Sequence, residues 1–536
     1  MMRYRIFISL LMIVFECGLV SAQESVLGLL KNNLRQGNYY YRQGEYEKAL
    51  KYFSLVSQNK IDKHTQLNIA RCFYFNKNYR KAQATYAKLS AVNTLPMPDL
   101  GYYAELNTSL GNYSAATECY NSMLSLKPGD PVILQRIWQL NNVHLFYEDS
   151  LHYLVRELSV NSDRSDFSPV PYGNGIVFLS DRKEIDFKNP DNEVDQNKFN
   201  LYYSEIDGDT LLAGLKARFR NPVNFGKAFH TTTSFGSVAF YAGDTKCIFA
   251  ALGKEAAASG VRKMQLFFSE FKNGKWSTPR AFEHNNKEDN LTDPSISPDG
   301  TTLYFASDRP GGLGGFDIYK CEWKAPTWSK PENLGDHINT AYTESFPFLY
   351  YNTLYFCSDG HPGLGGLDIF SAIISKNNDH DIKNLGYPLN SGSDDFGFVL
   401  RTGSHGYLAS NRKYGGFDDN LYEFEMDFRT YPFDISGIIK LRDNNNIDTL
   451  HLGLMTDTKI ELVDYDRNQV IERTQTDGEG KFSVSIPWFS RYVLRLSGHD
   501  NEEYIVSLEI NRESSENSTY EIAVVKQSFT GPQKTN

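Results

Sequence analysis

Hydrophobic and polar positions follow three different rhythms along the 536-residue chain. From residue 25 to about 150, apolar side chains recur at helical spacing with few strand signals. From 160 to about 430, short apolar and aromatic runs, such as those at 303–306 and 354–357, are separated by polar glycine-rich turns, which predicts strand pairs. From 431 to about 526, apolar residues alternate singly, as at 459–464 and 492–496, the pattern of half-buried strands. Residues 527–536 are polar and read as a loose tail.

The helical rhythm repeats. Gly44, Tyr46 and Ala49 recur as Tyr79 and Ala82, and as Gly111, Tyr113 and Ala116, with the alanines 33 and 34 residues apart. An aromatic follows each alanine by four residues, at Phe53, Tyr86 and Tyr120. A small alanine lets two helices approach, and the aromatic one turn later fills the gap above it. This resembles the tetratricopeptide repeat, and a capping helix is expected over 132–147. The resemblance implies a groove for peptides or partner proteins. The alternative is a spacer that holds the next region at a fixed angle.

In the central rhythm the unit is 303–321: an apolar strand ending in Ser307-Asp308, a glycine-rich turn, then a second strand opening at Asp317. Copies carry Ser180-Asp181, Ser358-Asp359 with Asp368, and Ser410-Asn411 with Asp418. A weaker copy at 248–251 has Ala250-Ala251 instead, followed by an alanine-rich insert at 255–260. Asp308, Asp359 and Asn411 lie 51 and 52 residues apart, a period that predicts a β-propeller of five blades, with six as the alternative. With the turn Ser297-Pro298-Asp299-Gly300, the unit resembles the PD40 or TolB-type WD40-like repeat. The Ser-Asp pairs read as structural, because they recur from blade to blade and a reactive site occurs once.

The last region opens on the strand 433–439 and contains Thr476-Asp477-Gly478-Glu479-Gly480-Lys481-Phe482. It resembles the carboxypeptidase regulatory-like domain, a small β-sandwich of transthyretin type, and the resemblance implies no peptidase site.

A net charge of −10 argues against nucleic acid as a ligand. Arg3 and Arg5, the apolar run 6–15 and the small residues Val20-Ser21-Ala22 read as a signal peptide over 1–22, cleaved after Ala22. Its removal takes Arg3, Arg5 and Glu16 and leaves −11. Five widely scattered cysteines then remain, with no Cys-x-x-Cys, so a disulfide framework is not expected. No Gly-x-Ser-x-Gly or His-Glu-x-x-His is present, and no catalytic, metal or cofactor site is expected. The glycine-rich turn at 311–315 lies between strands, so it reads as a hairpin and not as a phosphate loop. The acidic run 186–195 reads as a solvated charge run and not as a calcium loop. Ser297–Thr301 faintly resembles the aspartate box of sialidases, which keeps glycan binding open.

The order of signal peptide, helical repeats, PD40 propeller and regulatory-like domain resembles the PorE-type, OmpA-family envelope proteins of Bacteroidetes. That resemblance implies a periplasmic protein at the outer membrane, tied to type IX secretion or gliding. Its partners would be envelope proteins, among them an outer-membrane β-barrel and secretion components. The sequence stops near where that family's peptidoglycan-binding OmpA domain would begin, so contact with peptidoglycan would be indirect. The expectation is a scaffold without enzymatic activity; the alternative is a propeller that binds glycans or muropeptides.

Overall fold

The computed structural model describes residues 32–57, 60–92, 94–183, 198–207, 219–229, 234–374, 382–413, 418–426, 433–442, 452–465, 469–486, 492–497, 503–508 and 519–525. The expected signal peptide, the acidic run 186–195 and the tail 527–536 lie outside them. The chain is a helical region followed by a much larger β-rich region.

Seven α-helices lie among the described residues: α1 (Asn33–Arg42), α2 (Tyr46–Ser54), α3 (Lys63–Phe75), α4 (Tyr79–Ser90), α5 (Met97–Ser109), α6 (Tyr113–Leu126) and α7 (Pro131–Asn141). Side chains of Asn32, Asp62, Asn78 and Asp130 accept backbone N–H bonds at the starts of α1, α3, α4 and α7. Ala49, Ala82 and Ala116 are fully buried, with Phe53, Tyr86 and Tyr120 packed one turn on. The turn inside each helix pair needs a left-handed residue: Gly44 (φ 76), Gly111 (φ 73) and, in the middle pair, Lys77 (φ 55).

A second register runs through the first helix of each pair. Gly37, Ala70 and Ala104 are buried there, and a Cβ on Gly37 would run into the Phe53 ring. At the next position stands Trp138, 51% exposed, and among the described residues no second α-helix follows to pair with its own. The helix expected over 132–147 ends at Asn141, where the Asn142 side chain turns back onto the Trp138 carbonyl, and a 3-10 turn (Val143–Tyr147) follows.

Five antiparallel sheets follow. Their first strands are Asp166–Tyr172, Phe235–Tyr241, Leu291–Ile296, Glu344–Tyr350 and Asp395–Thr402. Each first strand packs on that of the next sheet, and the fifth packs on the first, so the sheets form a closed ring. Sheet five holds Asp395–Thr402, His405–Ser410 and Asn420–Met426, and takes its fourth strand, Tyr153–Glu157, from the other end of the ring. The ring therefore begins at Tyr153 and not at 160, because the closing strand precedes the first repeat. The alanine-rich insert is the tip of the long hairpin formed by Lys246–Ala256 and Arg262–Lys272.

Each first strand carries a register shift at the same place, 167/170, 235/238, 292/295, 345/348 and 396/399, and the fifth has a second at 400/402. Four of these bulges hold a left-handed residue, namely Ser168, Asp293, Phe346 and Gly397. The bulges face the ring axis and line a cavity of about 90 Å³.

The glycine-rich turns reach across to the neighbouring sheet. Gly315 N–H donates to Tyr342 O (2.5 Å) and Gly366 N–H to Ser393 O (3.2 Å). A Cβ on Gly314 or Gly365 would collide with backbone carbonyls of the next loop.

The last region forms two sheets. Phe433–Arg442 pairs with Leu452–Leu454, Lys481–Ile486 and Thr519–Val525; Lys459–Asp464 pairs with Gln469–Gln475 and Tyr492–Ser497, which adds Glu503–Leu508. Ile435, Ile439, Ile460, Leu462, Phe482, Val484 and Leu494 share one core. Its Thr-Asp-Gly turn is held by Asp477 Oδ1, which accepts from Glu479 N (2.8 Å) and Lys481 N (2.9 Å). The five described cysteines are buried and unbridged.

Gly365→Ala is expected to lose about 1–3 kcal/mol of ring stability in chemical denaturation, since backbone must shift to admit the methyl. Gly101→Ala, in α5 with only the Met123 methyl 3.8 Å away, is expected to be neutral or to gain up to about 1 kcal/mol.

Candidate functional site

The repeated Ser-Asp residues tie sheets to loops. Asp181 Oδ1 accepts from Ser165 N (3.0 Å), Asp308 Oδ1 from Asn290 N (2.6 Å), Asp359 Oδ1 from Thr343 N (2.8 Å) and Asn411 Oδ1 from Asp394 N (2.9 Å). Each bond fastens the end of a second strand to the loop that leads into the first strand. The serines complete the corner. Ser180 and Ser410 accept from the Arg182 and Arg412 amides, while Ser307 donates to Asn290 O and Ser358 to Glu344 Oε1.

Asp317 accepts from Leu313 N and Gly314 N, and Asp368 from Gly365 N, so both hold the glycine-rich turns. In sheet five, pairing places Asn420 opposite Ser410, so Asn420 and not Asp418 is the counterpart of Asp317 and Asp368. Asp418 lies in the preceding loop, two residues short of the strand.

Two further repeated groups escaped the sequence reading. Asn161, Asn285, Asn339 and Asn390 each clamp one third-strand residue through both its N–H and its C=O: Leu421, Leu266, Ile318 and Ile369. Asp166 and Asp395, fully buried at the heads of their strands, pair with Arg182 and Arg412. The spacing of 51 between Asn339 and Asn390 was the available signal.

An opening of about 820 Å³ runs along the helical array beside Leu50, Phe53, Ile69 and Phe73, and two others touch the ring. The axial cavity holds Asp293, whose carboxylate accepts from Ser237 Oγ (2.6 Å) and is pushed up to about 6 by burial. At about 90 Å³ the space falls well below an ordinary ligand pocket.

The larger of these two, about 260 Å³, lies between the helices and the ring. Its helical wall carries Tyr74, Tyr79, Glu105, Tyr120, Arg136 and Gln139; its ring wall carries Tyr342, Asp359, Asp394 and the backbone of Gly365 and Gly366. Three α7 side chains grip ring carbonyls: Gln135 that of Gly360 (3.3 Å), Arg136 that of Asp359, and Gln139 that of Gly363. Arg136 also lies over the Tyr342 ring, 5.8 Å from its centroid. Lys77 meets Asp394 at 3.4 Å, and the strained left-handed turn is what presents it. Behind the cleft, Tyr387 N–H donates to Phe146 O (2.7 Å), Tyr147 stacks on Tyr387, and Lys383 pairs with Asp149 (2.7 Å).

Four acids crowd this boundary. Burial raises the Asp359 carboxyl and pushes Asp419 up to about 6. Glu105 stays open to water although protein surrounds it, and it accepts from the Tyr74 hydroxyl. The cleft can therefore take hydrogen-bond donors between aromatic walls. Among the described residues no His, Cys, Asp or Glu group is arranged to hold a metal ion.

The predicted helical motif residues Gly44, Tyr46, Ala49, Ala82, Gly111, Tyr113 and Ala116 serve packing and turns, and Tyr79 alone reaches the cleft.

No family model matches the chain, and no curated protein matches it. Among solved structures, similarity extends to an exo-β-1,3-galactanase from Clostridium thermocellum, at 12% identity over 66% of this chain and 82% of that one, with a TM-score of 0.34. A xylan β-1,4-xylosidase from Bacillus halodurans gives 12% identity over 66% and 91%, with a TM-score of 0.30. A protein of unknown function from Dyadobacter fermentans gives 11% over 51% and 99%, at 0.29. At these scores the likeness brings no activity to this chain.

Arg136→Ala is expected to weaken the docking of helices on the ring by about 1.5–3 kcal/mol, the range for a hydrogen bond to a charged group. Faster proteolysis between 142 and 152, with the ring still folded, is the readout.

Proposed function

We propose that the chain is a non-enzymatic scaffold: a tetratricopeptide-type array fixed on a five-bladed PD40-type propeller and followed by a transthyretin-type sandwich. It would be exported to the periplasm and work at the outer membrane beside type IX secretion or gliding machinery, bridging a β-barrel and other envelope proteins. The observation that carries this reading is how completely the ring's recurring polar side chains are committed to holding its own backbone. Glycoside hydrolysis asks for two carboxyl groups facing an open cleft. The strand-head acids Asp166, Glu344 and Asp395 are fully buried and bonded within their own sheets. The grip of α7 on the ring favours the spacer role for the helical array over a free peptide groove.

In-cell cross-linking followed by mass spectrometry tests the scaffold. Capture of an outer-membrane barrel and neighbouring envelope proteins is expected, and recovery of a lone monomer under every condition would overturn it. The tyrosine-walled cleft with water-accessible Glu105 favours one second reading, a glycan or muropeptide site. Titration calorimetry with soluble glycans and muropeptides separates the two, because a pure scaffold gives no saturable heat.

A further inference from the structure

The cleft between the helices and the ring carries negative charge that its own cations do not meet. Three carboxylates line it, those of Glu105, Asp359 and Asp394, beside one cation, Arg136. Asp394 is already engaged: Oδ1 accepts from Leu367 N (3.2 Å), while Oδ2 accepts from Asn411 Nδ2 (2.7 Å) and meets Lys77 (3.4 Å). Arg136 is turned to the Asp359 carbonyl and to Gln139 Oε1 (3.2 Å). Glu105 accepts from the Tyr74 hydroxyl, and Asp359 Oδ1 accepts from Thr343 N (2.8 Å). Among the described residues neither of these two carboxylates forms an ion pair.

An unmet hydrogen bond lies in the same space. Tyr120 is only 7% exposed, and its hydroxyl opens into the cleft, facing Glu105, Arg136 and Tyr342. Among the described residues that hydroxyl has no hydrogen-bond partner, which is costly for a group so buried. The open positions are therefore carboxylate and phenol oxygens, which accept, and tyrosine ring faces, which attract cations. An anion would be repelled here. A neutral sugar would cover Glu105 and Asp359 and balance neither charge. No group among the described residues is arranged to hold a metal ion. At about 260 Å³ the space is smaller than an ordinary small-molecule pocket of roughly 300–1,000 Å³, and it suits one extended side chain.

We propose that the cleft binds a primary alkylammonium group, with the Glu105 carboxylate meeting its charge, the Tyr120 hydroxyl accepting one N–H bond and the neighbouring tyrosine rings covering its methylene stem. An ammonium brings three donors and no acceptor, which matches what the walls leave open. Two sources carry that group: a lysine side chain of a partner protein, and a free diamine. The proposal goes beyond the glycan reading, because it depends on charge and not on sugar rings. The scaffold reading does not depend on it.

Titration calorimetry of the full chain at neutral pH and low salt tests this, with cadaverine and a capped lysine peptide as the amine probes and pentanol as the neutral control. Saturable heat is expected from at least one amine and none from pentanol, and the tighter amine identifies the source. Glu105→Gln, which keeps an oxygen for Tyr74, is expected to weaken amine binding about tenfold to hundredfold. Tyr120→Phe, which keeps the ring and removes the hydroxyl, is expected to weaken it about twofold to tenfold, and it decides the matter if the glutamine variant does not fold. Equal heat from pentanol, or unchanged amine affinity in either variant, would overturn the site. Heat from a glycan with none from either amine would overturn it too, while leaving the glycan reading in place.

Discussion

A ring of sheets must cross from one sheet to the next in loops whose backbone groups have no ladder partner, and those groups cannot be left buried and unbonded. This chain meets the constraint with side chains. The clamp of Asn339 on Ile318, repeated by Asn390 on Ile369, lays the crossing loop flat against the sheet before it. The bond from Thr343 N–H to Asp359 then fixes the same loop to the sheet after it. With loops held this way, the glycine-rich turns can lie directly on their neighbours, and the bulged first strands can meet at the axis.

The helical array uses that loop surface as its floor. It lands on sheets four and five, and in sheet four Gly360 stands where sheets one, three and five carry Arg182, Arg309 and Arg412. Lys77 is the matching departure on the helical side. Its two sister turns use glycine, which adopts the left-handed conformation freely, whereas Lys77 is held there and reaches Asp394. Strain and docking coincide at one residue, which is where a local rule is expected to yield to a tertiary contact.

The order of helices and strands was legible because alanine spacing and apolar runs report directly on packing. The Ser-Asp corners marked where second strands end in sheets one, three and four, with Ser410-Asn411 doing the same in sheet five. The first residue of the ring was not legible, since the strand Tyr153–Glu157 has no repeat of its own and is recruited only by Asn420–Met426. The second-strand aspartate was misplaced at Asp418 because a Gly-Gly-Phe-Asp string outweighed strand register, and only pairing with Ser410 selects Asn420. The cleft itself lay beyond reach. Residues such as Glu105 and Asp394 meet only because two regions dock, and no local pattern encodes the angle at which they do so.

The closing strands carry a mechanical consequence. Tyr153 is paired with Met426, and the pairing runs inward from there to Glu157 and Tyr422. The helical region attaches just before Tyr153, and the chain leaves for the last two sheets just after Met426. Once the docking contacts yield, a pull between those flanking regions loads the seam at one end and peels its pairs apart in succession, without shearing them together. Arg156, bonded to both Glu423 and Glu425, sits inside that seam and ties its two strands by side chains as well as backbone.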